Sequence, residues 1–108
     1  MKLLTKANEK AIPPLYSQEN NSDPLAVVKF FNPTGAGSWY VLEGEKHEDA
    51  GGDWLFFGYV TGMNEDELGY FSLPELASSI GRYGLGIERD LWFKPTLLSV
   101  IKAKAGQN

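Results

Sequence analysis

The chain has 108 residues, of which 43% are hydrophobic and 13% aromatic, a composition that suits one globular domain with one core. Its 14 acidic and 10 basic residues give a net charge of −4, which argues against duplex nucleic acid as a ligand, because backbone binding draws on clustered cations. Without Cys it has no disulfide, thiolate metal site or cysteine nucleophile. No apolar run approaches a signal peptide or a membrane span, so we expect a cytoplasmic protein that does not bind membranes.

The first two thirds of the chain predict one short helix followed by strands. Thr5 suits the N-cap of a helix that ends near Ile12, because Pro13-Pro14 cannot continue it. Residues 17–24 are turn formers and predict a loop. Four runs rich in β-branched or aromatic residues then predict a meander-like sheet. These runs are Leu25–Phe31, Ser38–Gly44, Trp54–Val60 and Leu68–Phe71.

Ser72 and Glu75 have the spacing of a capping box, in which Ser72 accepts from a first-turn amide and Glu75 reaches back to the Ser72 amide. The helix that follows is predicted from Leu73 to Ile80, with Gly81 as its end.

The C-terminal part predicts a strand from Ile87 to Phe93 and a last helix from Thr96 to Lys104. We expect residues 1–4 and 104–108 to be frayed. The order of elements predicts a single α+β domain over residues 1–108, in which two or three short helices pack on one face of a mainly antiparallel sheet of about five strands.

Two glycine-rich stretches lack the pattern of a nucleotide-binding loop. A dinucleotide fingerprint needs a third glycine at a strand-to-helix junction, whereas Tyr40 and Arg89 stand at those positions and both stretches run into predicted strands. No Gly-Lys-Ser or Gly-Lys-Thr occurs either. We interpret NPTGAGS, residues 32–38, as a turn between antiparallel strands, and we expect no cofactor.

Acidic residues cluster in two predicted turns, the first of which surrounds His47. A metal site there would match no EF-hand or H-E-x-x-H spacing, and the single His of the chain would need loop carboxylates as all its other ligands. We therefore predict two solvated acidic loops and no metal site. The acidic residues are Glu43, Glu45, Glu48, Asp49 and Asp53 in the first loop, and Glu65, Asp66 and Glu67 in the second.

No catalytic residue is predicted, because the chain has neither a G-x-S-x-G elbow nor a Cys and its only His lies in a predicted loop. Paired carboxylates leave a small metal-dependent hydrolase as the enzymatic alternative.

The predicted strands carry large apolar groups on both faces. Trp54 and Phe56 point to one face, and Leu55, Phe57 and Tyr59 point to the other. Either the C-terminal segment or a second subunit covers the second face, which is the interpretation we favour, or that face exposes an aromatic interface.

The basic and aromatic residues that follow the second predicted helix suggest another binding surface, because such groups together can hold single-stranded nucleic acid. The neighbouring Glu88 and Asp90 dilute their charge, and we favour ordinary packing with Arg89 paired to a carboxylate. The candidate residues are Arg82, Tyr83, Arg89, Trp92 and Lys94.

Three stretches, VKFFNPTGAGSWYVLEGE, WLFFGYVTGMNEDELGYFSLPEL and GLGIERDLWFKP, resemble the family called domain of unknown function 2958. The resemblance covers nearly the whole chain. It implies a small bacterial protein of plasmids, integrating elements or phages, without an established activity or functional residues. Some relatives carry a lactate-dehydrogenase label, but this chain lacks the dinucleotide fingerprint and the second domain which that enzyme needs.

The leading hypothesis is a non-enzymatic counter-defence protein, an anti-CRISPR or anti-restriction inhibitor, whose acidic loops bind a basic surface on a host protein. The alternatives are a single-stranded nucleic-acid-binding accessory of the mobile element and the small hydrolase. The sequence leaves monomer and homodimer both open.

Overall fold

The computed structural model describes residues 2–79 and 85–105 of the chain. The strands are β1 (Leu25–Ala26), β2 (Val28–Phe31), β3 (Ser38–Lys46), β4 (Trp54–Thr61), β5 (Glu67–Ser72), β6 (Glu88–Arg89) and β7 (Thr96–Leu97). The helices are α1 (Lys6–Ala11), α2 (Leu73–Ser78) and α3 (Leu98–Ala105), with a 3-10 turn at Glu48–Ala50 between β3 and β4. None of the described helices has the length and apolar character that crossing a membrane requires.

Five of the strands form one antiparallel sheet in the order β5-β4-β3-β2-β6, and β1 pairs with β7 in a second, two-stranded sheet. The fold is α+β, as the sequence predicts. The four predicted central strands are present, although the first of them is interrupted at Val27, whose amide donates to the carbonyl of Val41 at 2.9 Å.

Both N-terminal caps are present. The Thr5 hydroxyl accepts from the amide of Asn8 at 3.1 Å, and the Asn8 side chain accepts from the Thr5 amide at 3.0 Å, which completes a capping box. The Ser72 hydroxyl accepts from the Glu75 amide at 3.2 Å. The second half of that predicted box is different, because Glu75 Oε1 accepts from the hydroxyl of Ser72 rather than from its amide.

The C-terminal predictions need three corrections. Helix α3 begins at Leu98 rather than Thr96, because Thr96 and Leu97 pair with β1. The strand predicted to reach Phe93 ends at Arg89, because the Asp90 side chain accepts from the Trp92 amide at 2.9 Å and closes a turn there. Helix α2 ends at Ser78; the predicted end at Gly81 lies outside the described residues.

Helices cover both faces of the five-stranded sheet. On the first face, Ile12 and Leu76 flank the ring cluster of Phe30, Phe56 and Phe71, in which Phe56 has ring centroids 5.9 and 5.5 Å from its two neighbours. On the second face, the α3 residues Leu98 and Ile101 pack on Ala26, Leu42 and Tyr59. The prediction that all helices pack on one face is therefore wrong, because the pairing of β7 with β1 carries α3 across to the second face.

A β-bulge in β3 sets the positions of the site residues. The register between β3 and β4 shifts between Val41 and Glu43, and Glu43 lies opposite Phe57 on the second face. Gly58 lies opposite Val41, where a Cβ would meet the carbonyl oxygen of Tyr40 at 1.9 Å. Only glycine fits this close approach of the two strands.

Candidate functional site

Glu43 and Glu45 hold the loop after α1. Glu43 is 6% exposed, and its two carboxylate oxygens accept from the amides of Tyr16 at 3.0 Å and Gln18 at 2.8 Å. Glu45 accepts from the Leu15 amide at 3.0 Å. The prediction that these two residues belong to a solvated loop is wrong. Glu43 is buried within β3, inside the predicted strand, and Glu45 belongs to β3 because this strand continues to Lys46, two residues beyond its predicted end.

The rest of the first acidic group is exposed, as predicted. Glu48, Asp49 and Asp53 lie in the turn between β3 and β4, which Gly51 and Gly52 close with φ angles of 67° and 85°. The Nδ1 atom of His47 accepts from the Asp49 amide at 3.0 Å and so caps the 3-10 turn.

The second acidic group is exposed: Glu65 and Asp66 lie in the turn between β4 and β5, and Glu67 is the first residue of β5. Asp66 accepts from the Gly62 amide at 3.1 Å. The two acidic turns lie at opposite ends of β4, whose eight residues span about 23 Å at 3.3 Å per residue. The structure therefore separates the acidic residues into two groups that do not form one surface.

Among residues 2–79 and 85–105, no group of three or more His, Cys, Asp or Glu side chains is arranged to hold a metal ion.

The turn after β6 presents the most exposed large hydrophobic side chain among the described residues. Trp92 is 91% exposed. Beside it, between this turn, α3 and the adjoining ends of β3 and β4, lies a groove of about 780 Å³. We call it the Trp92 groove; its lining residues are Lys29, Tyr40, Thr61, Gly62, Asp66, Asp90, Trp92, Phe93, Lys94, Thr96, Ile101, Lys104 and Ala105.

The Trp92 groove combines aromatic rings with charges of both signs. The ring centroids of Tyr40 and Phe93 lie 5.8 Å apart. Lys29 lies 3.8 Å from the Asp90 carboxylate and 5.3 Å from the centre of the Tyr40 ring, so its charge is partly satisfied within the protein. Three lysines and two aspartates line the groove, which leaves a formal charge of +1.

The basic-aromatic residues expected from the sequence are only partly brought together. Trp92 and Lys94 line the groove, whereas Arg89 lies opposite Phe30 and therefore on the first face. There its guanidinium donates to the carbonyl of Lys2 at 2.6 Å rather than to a carboxylate. Arg82 and Tyr83 lie outside the described residues.

Two lysines of the groove were missed by sequence reasoning. Lys29 alternates with the buried Val28 and Phe30, a pattern that already assigns it to the second face. Lys104 had no comparable signal, because its position depends on α3 packing on that face.

The part of the second face that α3 leaves uncovered exposes other aromatic groups. Tyr70 and Tyr16 are 54% and 58% exposed, and the Tyr70 ring lies 5.0 Å from that of Phe57. The largest effect that raises the pKa of Tyr70 is a hydrogen bond with the Tyr16 side chain, and the next largest is partial burial. The C-terminal segment thus covers one part of this face, and aromatic side chains are exposed on another part.

Comparison with curated proteins and with solved structures finds no match. The family model described as "Protein of unknown function (DUF2958)" matches residues 1–108. Since that match spans the whole sequence, the chain belongs to this family, in agreement with the resemblance of its three quoted stretches.

Proposed function

We propose that this protein is a non-enzymatic binding protein that attaches to a host protein through the Trp92 groove. The observation that carries the proposal is the 91% exposure of Trp92 at the edge of a groove of about 780 Å³. A tryptophan in this state contributes little to the fold, and burying it against a partner would remove a large apolar surface from water.

The chemistry of the groove favours a protein partner. Tryptophan is among the side chains that most often dominate protein interfaces, where it fills a pocket inside a polar rim. The rim here holds Lys94 and Lys104 together with Asp66 and Asp90, and this mixture of signs suits a protein surface better than a uniformly negative chain.

The counter-defence role, as an anti-CRISPR or anti-restriction inhibitor, is part of this proposal and rests on the resemblance to proteins of plasmids, integrating elements and phages. Within it, the two acidic turns act at long range. Their separation along β4 suits steering of a basic partner during encounter rather than one shared contact surface.

Single-stranded nucleic acid is the second candidate ligand. It is favoured by the proximity of Tyr40, Trp92 and Phe93 to three lysines, since bases stack on aromatic rings while cations follow the phosphates. The formal charge of +1 in the groove, on a chain of net charge −4, makes this candidate weaker than a protein partner.

The proposal is tested by affinity capture from a nuclease-treated lysate of a bacterial host. The immobilised wild-type chain is compared with Trp92→Ala and with the control Leu91→Ala. Leu91 precedes Trp92 in the chain, and its side chain is 62% exposed. We expect one host protein to be retained by the wild type and by the control, and to be lost with Trp92→Ala. Equal retention by all three chains would contradict the proposal.

A further inference from the structure

The two edges of the five-stranded sheet differ in how they are protected against pairing. The β6 edge has two residues, Glu88 and Arg89, and both are charged. The β5 edge has six residues, and after Glu67 it contains neither a charge nor a proline. Soluble proteins usually protect an exposed edge with charges, prolines or very short strands, because its free amides and carbonyls are a template for another strand. Only β6 has these features.

Large apolar side chains surround the β5 edge. Leu68 and Tyr70 are 42% and 54% exposed on the second face, and Tyr16 beside them is 58% exposed. On the first face, Met63 is 58% exposed and lines a hollow of about 190 Å³ together with Gly69. Leu68 and Tyr70 lie on β5 itself, Met63 lies in the turn that precedes it and Tyr16 lies in the loop after α1, and this grouping at one edge of the sheet indicates an interface.

We infer that the β5 edge binds the β5 edge of a second copy of this chain, so that two sheets join into one antiparallel sheet about a two-fold axis. Within residues 2–79 and 85–105, β4 is the strand that pairs with β5, and no other described strand joins it. An antiparallel strand of the same sequence matches this edge through its own backbone donors and acceptors.

The side-chain pattern fits a register centred on Gly69. Leu68 of each copy then lies opposite the second copy's Tyr70 on the second face, which makes two aliphatic–aromatic cross-strand pairs. The Gly69 residues of the two copies then meet at the two-fold axis. In the single chain a Cβ added at Gly69 would have no neighbour within 4 Å, so this position is open.

Charge selects the same arrangement. Antiparallel pairing places the two Glu67 side chains at opposite ends of the new ladder, about 13 Å apart for four strand residues. A parallel pairing would place them side by side, where like charges directly opposite each other are unfavourable. The self-complementary pattern therefore commits β5 to a second copy, and the pairing is independent of the Trp92 groove.

Sedimentation equilibrium of the full chain over a range of micromolar concentrations tests this inference. The chain weighs 12.0 kDa, and we expect a reversible dimer of twice that mass. Leu68→Lys should weaken association at least tenfold, because it removes the aliphatic side chain that packs on the second copy's Tyr70 and places a charge on the edge strand, whereas Leu91→Lys, at a site 62% exposed, should leave association unchanged.

Hydrogen exchange of the wild type provides a measurement that needs no variant. The alternate amides of β5 that point away from β4 should exchange more slowly at high than at low protein concentration, while amides of β6 should not change. A chain that stays monomeric throughout, a dimer that Leu68→Lys leaves intact, or concentration-dependent protection confined to residues outside β5 would each overturn the inference. Binding of another host protein at β5 in place of a second copy would also overturn it.

Discussion

The buried carboxylate of Glu43 accepts a 3.0 Å hydrogen bond from the amide of Tyr16, a residue 27 positions earlier in the chain. Tyr16 has a φ of 69°, the left-handed region that residues other than glycine rarely adopt. The second oxygen of the same carboxylate accepts from Gln18 at 2.8 Å. This pair of bonds holds the loop after α1 against the second face of the sheet, so the carboxylate of Glu43 has a structural role in the fold.

Replacing Glu43 should destabilise the fold substantially. Glu43→Ala removes two charge-assisted hydrogen bonds and leaves two amides without acceptors, and we expect a loss of about 3 kcal/mol in the free energy of unfolding. Urea denaturation measures it. The matched control is Glu48→Ala, at an exposed position, which should change stability by less than about 0.5 kcal/mol. Similar stability of the two variants would show that the loop is held by other contacts.

Gly58 and Gly69 lie opposite each other on β4 and β5 but should respond differently to alanine. In Gly58→Ala the new methyl group would meet the Tyr40 carbonyl at 1.9 Å, which forces the backbone of two strands apart. We expect Gly58→Ala to destabilise by at least about 3 kcal/mol. At Gly69 an added Cβ would have no neighbouring atom within 4 Å, and Gly69→Ala should change stability by less than about 1 kcal/mol.

Thermal unfolding of both glycine variants, at a protein concentration low enough that association does not contribute, provides the comparison. A tolerated Gly58→Ala would contradict the close approach of β3 and β4.

The Asp23 carboxylate accepts hydrogen bonds from Ser99 near the start of α3, and it should make the stability of the fold depend on pH in the acid range. The hydroxyl and amide of Ser99 donate to its carboxylate at 2.6 and 2.8 Å, and these bonds lower the pKa of Asp23. A lowered pKa in the folded state means that the stabilisation is present above the unfolded-state pKa and is lost as the pH falls through the folded-state pKa.

Asp23→Ala should therefore be less stable than the wild type at neutral pH, and the difference should shrink below about pH 4, where the unfolded aspartate also begins to bind protons. Urea midpoints for both chains at a series of pH values measure this. A difference that stays constant down to about pH 2 would mean that the carboxylate charge does not contribute.

The sequence predicts local features of this fold well and long-range placement poorly. Thr5 and Ser72 are recognisable as caps because their partners lie three residues away, and the central strands are recognisable by their composition. The pairing of Leu25 with Leu97 joins residues far apart in the sequence, and nothing local indicates it. That pairing moves α3 to the second face and thereby builds one wall of the Trp92 groove.

The acidic residues illustrate the same limit at the candidate site. Glu43 and Glu48 belong to the same charge run, yet the side chain of Glu43 is only 6% exposed and that of Glu48 is exposed. Which of them is buried depends on the bulge in β3 and on the loop that packs against it, neither of which local charge patterning reveals. Trp92 and Lys94 were identified because aromatic and basic residues are adjacent there in the sequence.

Oligonucleotide binding separates the two candidate ligands of the groove. If the groove binds a protein, a fluorescent oligothymidine should bind this chain with no more than weak micromolar affinity near physiological salt, because the chain has a net charge of −4. Fluorescence anisotropy with and without Lys94→Ala plus Lys104→Ala measures this. Tight binding that falls steeply with salt and is lost in the double variant would place single-stranded nucleic acid first.

The most direct test of the Trp92 groove measures how tightly the captured host protein binds two variants of this chain. One variant alters the groove and the other alters an acidic turn. In one, Trp92→Ala removes the exposed ring; in the other, lysine replaces Glu48, Asp49 and Asp53. Association and dissociation rates are measured with the chain immobilised on a sensor surface. We expect Trp92→Ala to weaken binding at least tenfold, mainly through faster dissociation, because truncating a central tryptophan of an interface commonly costs about 2 kcal/mol or more. The lysine variant should lower only the association rate, and less so at high salt. Unchanged affinity for Trp92→Ala, together with loss of binding in the lysine variant, would contradict the proposed groove and return the interface to the acidic turn.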